Sequence, residues 1–434
     1  MNKSILYILL LAVLAAITGC KQKGKTPDTV LSAQEKHRPL PPKQTARYDY
    51  SVPPTRIDVE KAITGSAPVN LSQVASNIDY YLVGDDKYPI TDIVSTGEGF
   101  IILNRPKLYY YRKGVRRKRI GLKTNFETWN VRGKRLHYDK ATSNLYVHLK
   151  QLNPETGYSD HQILKLPPLE EVLARTYYLY PDSIADKSTI EGHYNPLVSL
   201  ASDSYDTAEY DRWGRFVRLF RHTLQGDTIC TFDLPTEPLT ENDPTSFYGR
   251  PVFSCQYRFD DRLTCRTAFN DTVYRITDGN TQSSAYLLSF GKHRISAREL
   301  FDNADRKDKA WLENLTENDK ALFLNVYKEN NSTRSGWLAE KRSQELPADE
   351  RQVVYLKSSQ KALALPQKTP GLTNDLDNGM PFWPDGQVDG YLYMIRPAKE
   401  LKESVKLNGS PRQKVLKAFI ESMDEKQNVM IVVK

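Results

Sequence analysis

Short apolar runs separated by turn residues fill most of the chain, and strings of period two outnumber strings of helical period. Ile90 to Val94, Gly99 to Leu103, Lys107 to Arg112 and Val115 to Leu122 read as four successive strands, the last two joined across Lys113 and Gly114. Four short antiparallel strands within about 35 residues match one blade of a β-propeller. The pattern returns at Leu145 to Leu149 with Gln162 to Leu166, at Leu197 to Ala201 with Phe216 to Phe220 and Thr228 to Phe232, and at Val252 to Arg258 with Leu263 to Phe269, Val273 to Ile276 and Tyr286 to Phe290. It continues at Ala321 to Tyr327 with Val353 to Leu356, and at Tyr391 to Ile395 with Val429 to Val433. The expectation is an all-β chain, a six-bladed β-propeller over residues 57–434 with short helical insertions and a C-terminal helix. Its spacing is longer than standard blade repeats, so insertions supply the excess, and a seventh blade is compatible with the same pattern.

Two segments break into helical spacing. Ser296 followed by Glu299 forms a capping box ahead of Leu300, Phe301, Ala304 and Trp311. Ser410 and Pro411 open a second helix, with Val415, Leu416, Phe419, Ile420 and Met423 as its apolar face. This second helix is expected to pack on the last blade and lead into the strand Met430 to Val433.

The first nineteen residues follow a different rule. Lys3, an apolar run from Ile5 to Ile17, and the small pair Thr18 and Gly19 before Cys20 have the order of an export signal. That run is shorter than the roughly 20 apolar residues a membrane-crossing helix needs. Ile17 to Cys20 resembles the lipobox of bacterial lipoproteins, which implies cleavage before Cys20 and acylation of its thiol. Two or more acyl chains suffice for stable anchoring, since each buried methylene contributes about 0.8 kcal/mol. Residues 20–56, rich in Lys, Pro, Gln and Thr, are then expected to be a lipid-anchored flexible tether.

Charge sharpens this division. The net charge is +8, but residues 21–56 hold eight basic against three acidic residues, and residues 57–434 hold 52 against 50. Excess positive charge in the tether suits anionic lipid headgroups better than nucleic acid, so no nucleic-acid partner is expected.

Cys230, Cys255 and Cys265 remain after the anchor. Cys255 and Cys265 flank the turn-like Phe259 to Arg262, and two readings stand: a bridge across that hairpin, or buried unbridged thiols. No cysteine spacing resembles a zinc site.

Several segments together resemble the six-bladed β-propeller lipoproteins of Bacteroides-type bacteria, a family whose general function is unassigned. They are the lipobox; Phe100 to Gly114 continuing to Gly121; Asn270 to Ile276 leading to Leu288 to Gly291; Asn374 to Gly379 with Pro381 to Pro384; and Met430 to Lys434. That family usually has Asp where Asn104 stands and a Gly pair where Asn378 and Gly379 stand. The resemblance implies a propeller at the cell envelope and assigns no reaction.

Catalytic spacings are missing from the sequence: no His-Glu-x-x-His, no Gly-x-Ser-x-Gly, no phosphate-binding loop and no sialidase-type Asp box. His137, His148, His161, His193 and His222 have no ligand spacing, and no cofactor or metal is expected. Asp375 and Asp377, with Asn378, stand ahead of Gly379 as alternate acidic residues do in hard-cation loops, but the later glutamate of an EF-hand is missing, which favours a tight turn with side-chain to backbone bonds. Phe382 and Trp383, between Pro381 and Pro384, offer ring faces for sugar stacking or for filling the gap between blades. Arg212 and Trp213 form a second candidate rim contact. Lys107 to Arg119 mixes tyrosines with cations and reads as a solvated outer edge or as a grip on a polyanion.

The expected function is a cell-envelope lipoprotein acting as a binding propeller, tethered to the outer membrane facing the periplasm, with surface exposure also open. Its partners are membrane lipid through acylated Cys20, and a glycan or an envelope protein. Two other classes stay open: a hydrolase or lyase acting on glycan or peptide in the propeller channel, and an accessory partner of a membrane complex.

Overall fold

The computed structural model describes residues 44–85, 90–104, 107–113, 115–120, 132–152, 159–174, 187–190, 197–211, 215–237, 255–276, 279–297, 299, 307–328 and 350–434, all within a compact unit that begins at Pro41. The described strands form six sheets, each built on four antiparallel strands that make a blade, and two of them are extended at the rim by parallel strands from the N-terminal side.

From axis to rim, the first blade is Ile90–Ser95, Gly99–Asn104, Lys107–Arg112 and Val115–Ile120. The second is Arg132–Asp139, Asn144–Leu152, Ser159–Pro168 and Lys187–Ile190, and the third is Leu197–Leu200, Ser204–Tyr210, Phe216–Thr223 and Thr228–Asp233. Cys255–Phe259, Arg262–Arg266, Thr272–Ile276 and Thr281–Ser289 make the fourth. The fifth is Ala310–Glu317, Ala321–Lys328, Glu350–Leu356 and Lys361–Ala364. The sixth is composite: Gly386–Val388, Tyr391–Pro397 and Gln427–Val433 take their rim strand, Ile78–Asp85, from the N-terminal side of the propeller. Val433 pairs with Ile78 and Met430 with Tyr81, so the ring is closed by hydrogen bonds between early and late sequence. First strands of neighbouring blades touch around the axis, as in the contacts of Ile90–Ser95 with Arg132–Asp139 and with Gly386–Val388.

In the first and fifth blades the second strand carries the longest apolar run, because it is covered on both faces. In Phe100 to Leu103, Ile101 and Leu103 join the core shared with the second blade, whereas Phe100 and Ile102 join the core shared with the sixth. Strand alternation puts successive side chains on opposite faces, so each run feeds two seams at once. Ala321 and Phe323 likewise pack toward the sixth blade while Leu322, Leu324 and Val326 pack toward the fourth. Each such aliphatic side chain contributes about 1.5–3 kcal/mol by leaving water.

The tether expected over residues 20–56 is corrected at its C-terminal end. Gln44–Thr45 pairs in parallel with the rim strand of the third blade, and Arg47–Asp49 and then Thr55–Asp58 pair in parallel with that of the fourth. The segment therefore straps two neighbouring rims, satisfying edge groups that would otherwise face water. Asp58 then caps the helix Val59–Thr64, accepting from the Lys61 N–H at 2.9 Å, and Val59, Ala62 and Ile63 enter the core between the fourth and fifth blades.

Two helical expectations need amendment. The Ser296 to Glu299 capping box forms, with both reciprocal bonds present at 2.8 and 3.1 Å, but Trp311 belongs to the first strand of the fifth blade. Leu300, Phe301 and Ala304 lie outside the described residues. In the C-terminal helix, Lys414–Ser422, Leu416 and Ile420 are buried against the last blade, with Phe419 and Met423 beside them, whereas Val415 is 66% exposed.

Candidate functional site

Along the axis the first strands carry polar side chains, which bond from blade to blade. Gln387 of the sixth blade donates from Nε2 to the backbone carbonyl of Arg258 in the fourth at 2.7 Å, and its Oε1 accepts the backbone N–H of Glu317 in the fifth. Arg258 donates from Nη1 to Ser199 Oγ of the third blade at 2.8 Å. Lys140 of the second blade pairs with Asp389 of the sixth at 3.2 Å, and Asp92 of the first accepts the Leu136 N–H of the second at 2.7 Å. Every blade contributes to this hub.

The hub perturbs its titratable groups. Burial, and secondarily the Arg258 guanidinium, push His137 down to about 4, so this imidazole is neutral at ordinary pH. Burial raises the Asp92 carboxyl, opposed by Arg135.

Between the fourth and fifth blades, Glu317 is fully buried and its four lone-pair positions are filled. Oε1 accepts from Tyr286 Oη at 2.6 Å and Lys357 Nζ at 2.7 Å, and Oε2 from Tyr257 Oη at 2.8 Å and Arg275 Nη2 at 2.7 Å. The Phe259 ring lies between the same two cations, 5.0 Å from Arg275 and 4.4 Å from Lys357. A carboxylate held in this way is a structural clamp, since a general base needs an open lone pair at the proton it removes.

A cleft of about 210 Å³ opens at the seam between the sixth and first blades. Phe100 forms its floor, with Tyr81 and Tyr391 edge-on to that ring at 5.5 Å each. Around the mouth, Lys113 pairs with Asp79 at 2.5 Å and Arg112 with Glu98 at 3.2 Å. The Lys434 ammonium lies 4.6 Å from the Tyr391 ring centroid. Burial, then Asp79, pushes the Tyr81 hydroxyl up to about 12, so it stays protonated and can donate. The turn at the mouth holds its shape through Gly97, at φ +86°, whose N–H donates to Ser95 Oγ.

The residues singled out from sequence meet different fates. Asp375 accepts from the Ser72 N–H at 2.9 Å and from Ser72 Oγ at 2.6 Å, fastening the connection between fifth and sixth blades to an N-terminal turn. Asp377 is buried, with Oδ1 accepting from Asn374 Nδ2 at 2.8 Å and the Gly379 N–H at 2.9 Å, and Oδ2 from Tyr80 Oη at 2.6 Å. Asn378 supplies a left-handed residue at φ +55°. Phe382 is completely buried, and Trp383, whose Nε1 donates to Asn325 Oδ1 at 2.6 Å, is nearly so. Neither ring therefore presents a face to an outside ligand; both fill the core between the fifth and sixth blades.

Lys118 and Arg119 sit exposed on the rim strand of the first blade. Cys20, Arg212 and Trp213 lie outside the described residues.

The hairpin bridge is corrected. Cys255 pairs with Arg266 and Cys265 with Gln256, so the two cysteines stand one position out of register and on opposite faces. Cys255 enters the core toward the fifth blade and Cys265 the core toward the third, and both are free thiols.

Sequence reasoning gave Gln387, Arg258 and His137 no role, since none of them sits in a spacing that marks chemistry. It also missed Tyr81 and Tyr391, which nothing in the sequence sets apart from the other tyrosines.

No curated protein matches the chain. Among solved structures, a member of the DUF4221 family from Bacteroides vulgatus is similar at 11% identity and a TM-score of 0.43, over 83% of this chain and 97% of that one. The β-propeller domain of the Trilobed protease from Pyrococcus furiosus, described as having an open velcro topology, gives 10% identity and a TM-score of 0.33 over 72% and 78%. An acylaminoacyl peptidase from Pyrococcus horikoshii gives 9% and 0.37 over 78% of this chain and half of that one. A family model described as a domain of unknown function, DUF4933, matches residues 39–407, and the chain belongs to that family.

Proposed function

We propose that the protein is a cell-envelope lipoprotein, cut before Cys20 and acylated there, whose propeller binds a glycan or an envelope protein. The observation that carries the binding reading is the polar hub. Groups from all six blades, side chains from five of them and the Glu317 N–H from the fifth, bond from blade to blade, so the turns around the rim keep fixed relative positions. A rigid scaffold presenting several connecting turns favours recognition, because little ordering entropy is lost when a ligand arrives. The cationic stretch that follows Cys20 favours an anionic leaflet.

The test has two arms. Metabolic labelling with palmitate is expected to mark the wild type and to leave Cys20→Ser unlabelled. The globular part, starting at Pro41, is expected to retain one class of glycan or one cross-linked envelope protein without converting it. Absence of label on the wild type overturns the anchor, and turnover of a retained glycan or peptide overturns the binding reading in favour of an enzyme.

A further inference from the structure

The geometry points to the cleft between the sixth and first blades as a binding site for a neutral sugar ring. This rests on the binding reading above and gives it a place and a ligand class. The cleft combines two features that suit a sugar. Tyr81, Phe100 and Tyr391 line it, with Tyr81 and Tyr391 half-buried and edge-on to Phe100, so their apolar bodies are covered while parts of the rings remain open to the cleft. Tyrosine suits such a position because the ring is apolar and the hydroxyl wants a polar partner.

The second feature is the state of the charges. Asp79 is already matched by Lys113 and Glu98 by Arg112, and the Lys434 ammonium lies against the Tyr391 ring, so most of the charge at the mouth is met within the protein. What it offers is hydrogen-bonding capacity of both kinds: carboxylate oxygens that accept and the Lys434 and Lys113 ammoniums that donate. A pyranose has the matching layout, an apolar C–H face and a periphery of hydroxyls that donate and accept. Size agrees as well. About 210 Å³ is below the roughly 300–1,000 Å³ of pockets for drug-sized molecules, which leaves room for one ring.

The site belongs to the closure of the propeller. Tyr81 comes from the rim strand Ile78–Asp85, Tyr391 from the strand beginning there, and Phe100 from the first blade, so the three rings meet only in the closed ring.

The experiment is a titration of the globular part, starting at Pro41, with D-glucose, D-galactose, D-mannose and N-acetyl-D-glucosamine, followed by backbone amide NMR shifts. At least one of these is expected to bind with millimolar affinity and to move the amides of Gly97, Glu98 and Tyr391. Tyr391→Leu is expected to weaken it about tenfold, the loss expected for one aromatic contact. Lys434→Met, at a position outside the core, is expected to weaken it several-fold with unchanged melting, which separates the effect from misfolding. The inference is overturned if none of the four sugars shifts those amides, or if binding survives both substitutions. Retention of a glycan or protein with the cleft amides unmoved sinks this site while leaving the binding propeller standing.

Discussion

Gln387 and Arg258, from blades that are not neighbours, are joined directly: the side-chain amide of the first donates to the main-chain carbonyl of the second at 2.7 Å. The same amide accepts the Glu317 N–H, so one side chain spans the sixth, fifth and fourth blades. Gln387→Ala is expected to strand both backbone groups and to cost about 1–3 kcal/mol for each group left unsatisfied. Urea unfolding at neutral pH measures it, and a loss below 0.5 kcal/mol, the usual range for surface changes, shows that the hub does not couple the blades.

Glu317 is the most heavily committed side chain described. Glu317→Ala leaves Arg275 and Lys357, both partly buried beside Phe259, without a counter-charge, and the expected destabilisation is about 3 kcal/mol, the lower end for a broken buried pair. Glu317→Gln keeps acceptor capacity on one oxygen and is expected to fall between. Thermal melting of both variants checks the order.

Stability should depend on pH through His137. Its pKa in the folded protein is about 4 against 6.5 for the ordinary group. The folded state thus resists protonation, so the contribution is complete above about pH 6.5 and is lost as pH falls from there toward 4. The size is on the order of 1–3 kcal/mol. His137→Gln is expected to flatten the slope of unfolding free energy between pH 7 and pH 5, and an unchanged slope assigns the acid sensitivity elsewhere.

The Asp375 and Asp377 pair divides by burial. Asp377→Ala strands the Tyr80 hydroxyl and the Gly379 N–H, with an expected cost of about 1–3 kcal/mol for each. Asp375→Ala removes only bonds to Ser72 near the surface and is expected to cost about 1 kcal/mol or less. Melting curves with and without calcium should coincide for the wild type, and a calcium-induced rise returns this loop to the cation-binding class.

The thiols give a chemical readout of register. Burial raises all three, Cys255 to about 11, so little thiolate forms at neutral pH. Cys230, Cys255 and Cys265 are expected to react with a thiol reagent only after denaturation, all three without reduction. Recovery of a single reactive thiol would indicate a bridge.

The blade pattern was legible where strands are buried on both faces. Phe100 to Leu103 and Ala321 to Tyr327 read as strands because neighbouring blades cover both sides of them. The axial strands of the second and sixth blades were illegible for the opposite reason. Arg132–Asp139 and Gly386–Val388 are short or charged, since one end of each meets polar partners at the hub. The strap, Gln44–Thr45 with Arg47–Asp49, carries a linker's composition, and its pairing depends on rim strands more than 180 positions later. Trp311 sat at helical spacing from Ala304, but Asp308, at φ +64°, breaks the chain before the strand begins. For the candidate site, aromatic and acidic residues drew notice at Asp375 to Trp383, yet these serve the core. The tyrosines of the cleft lay in strands that sequence alone had no reason to bring together.

Because the rim strand Ile78–Asp85 must wait for Gln427–Val433, the ring completes itself through one late encounter; the bond from Ser76 Oγ to the Lys434 carbonyl spans 358 positions. Contacts so distant in sequence slow folding, and an unpaired strand edge is a hazard meanwhile. Newly made chains should therefore need protection from one another until the final strand arrives, and a chain shortened by that strand should aggregate rather than persist as five stable blades.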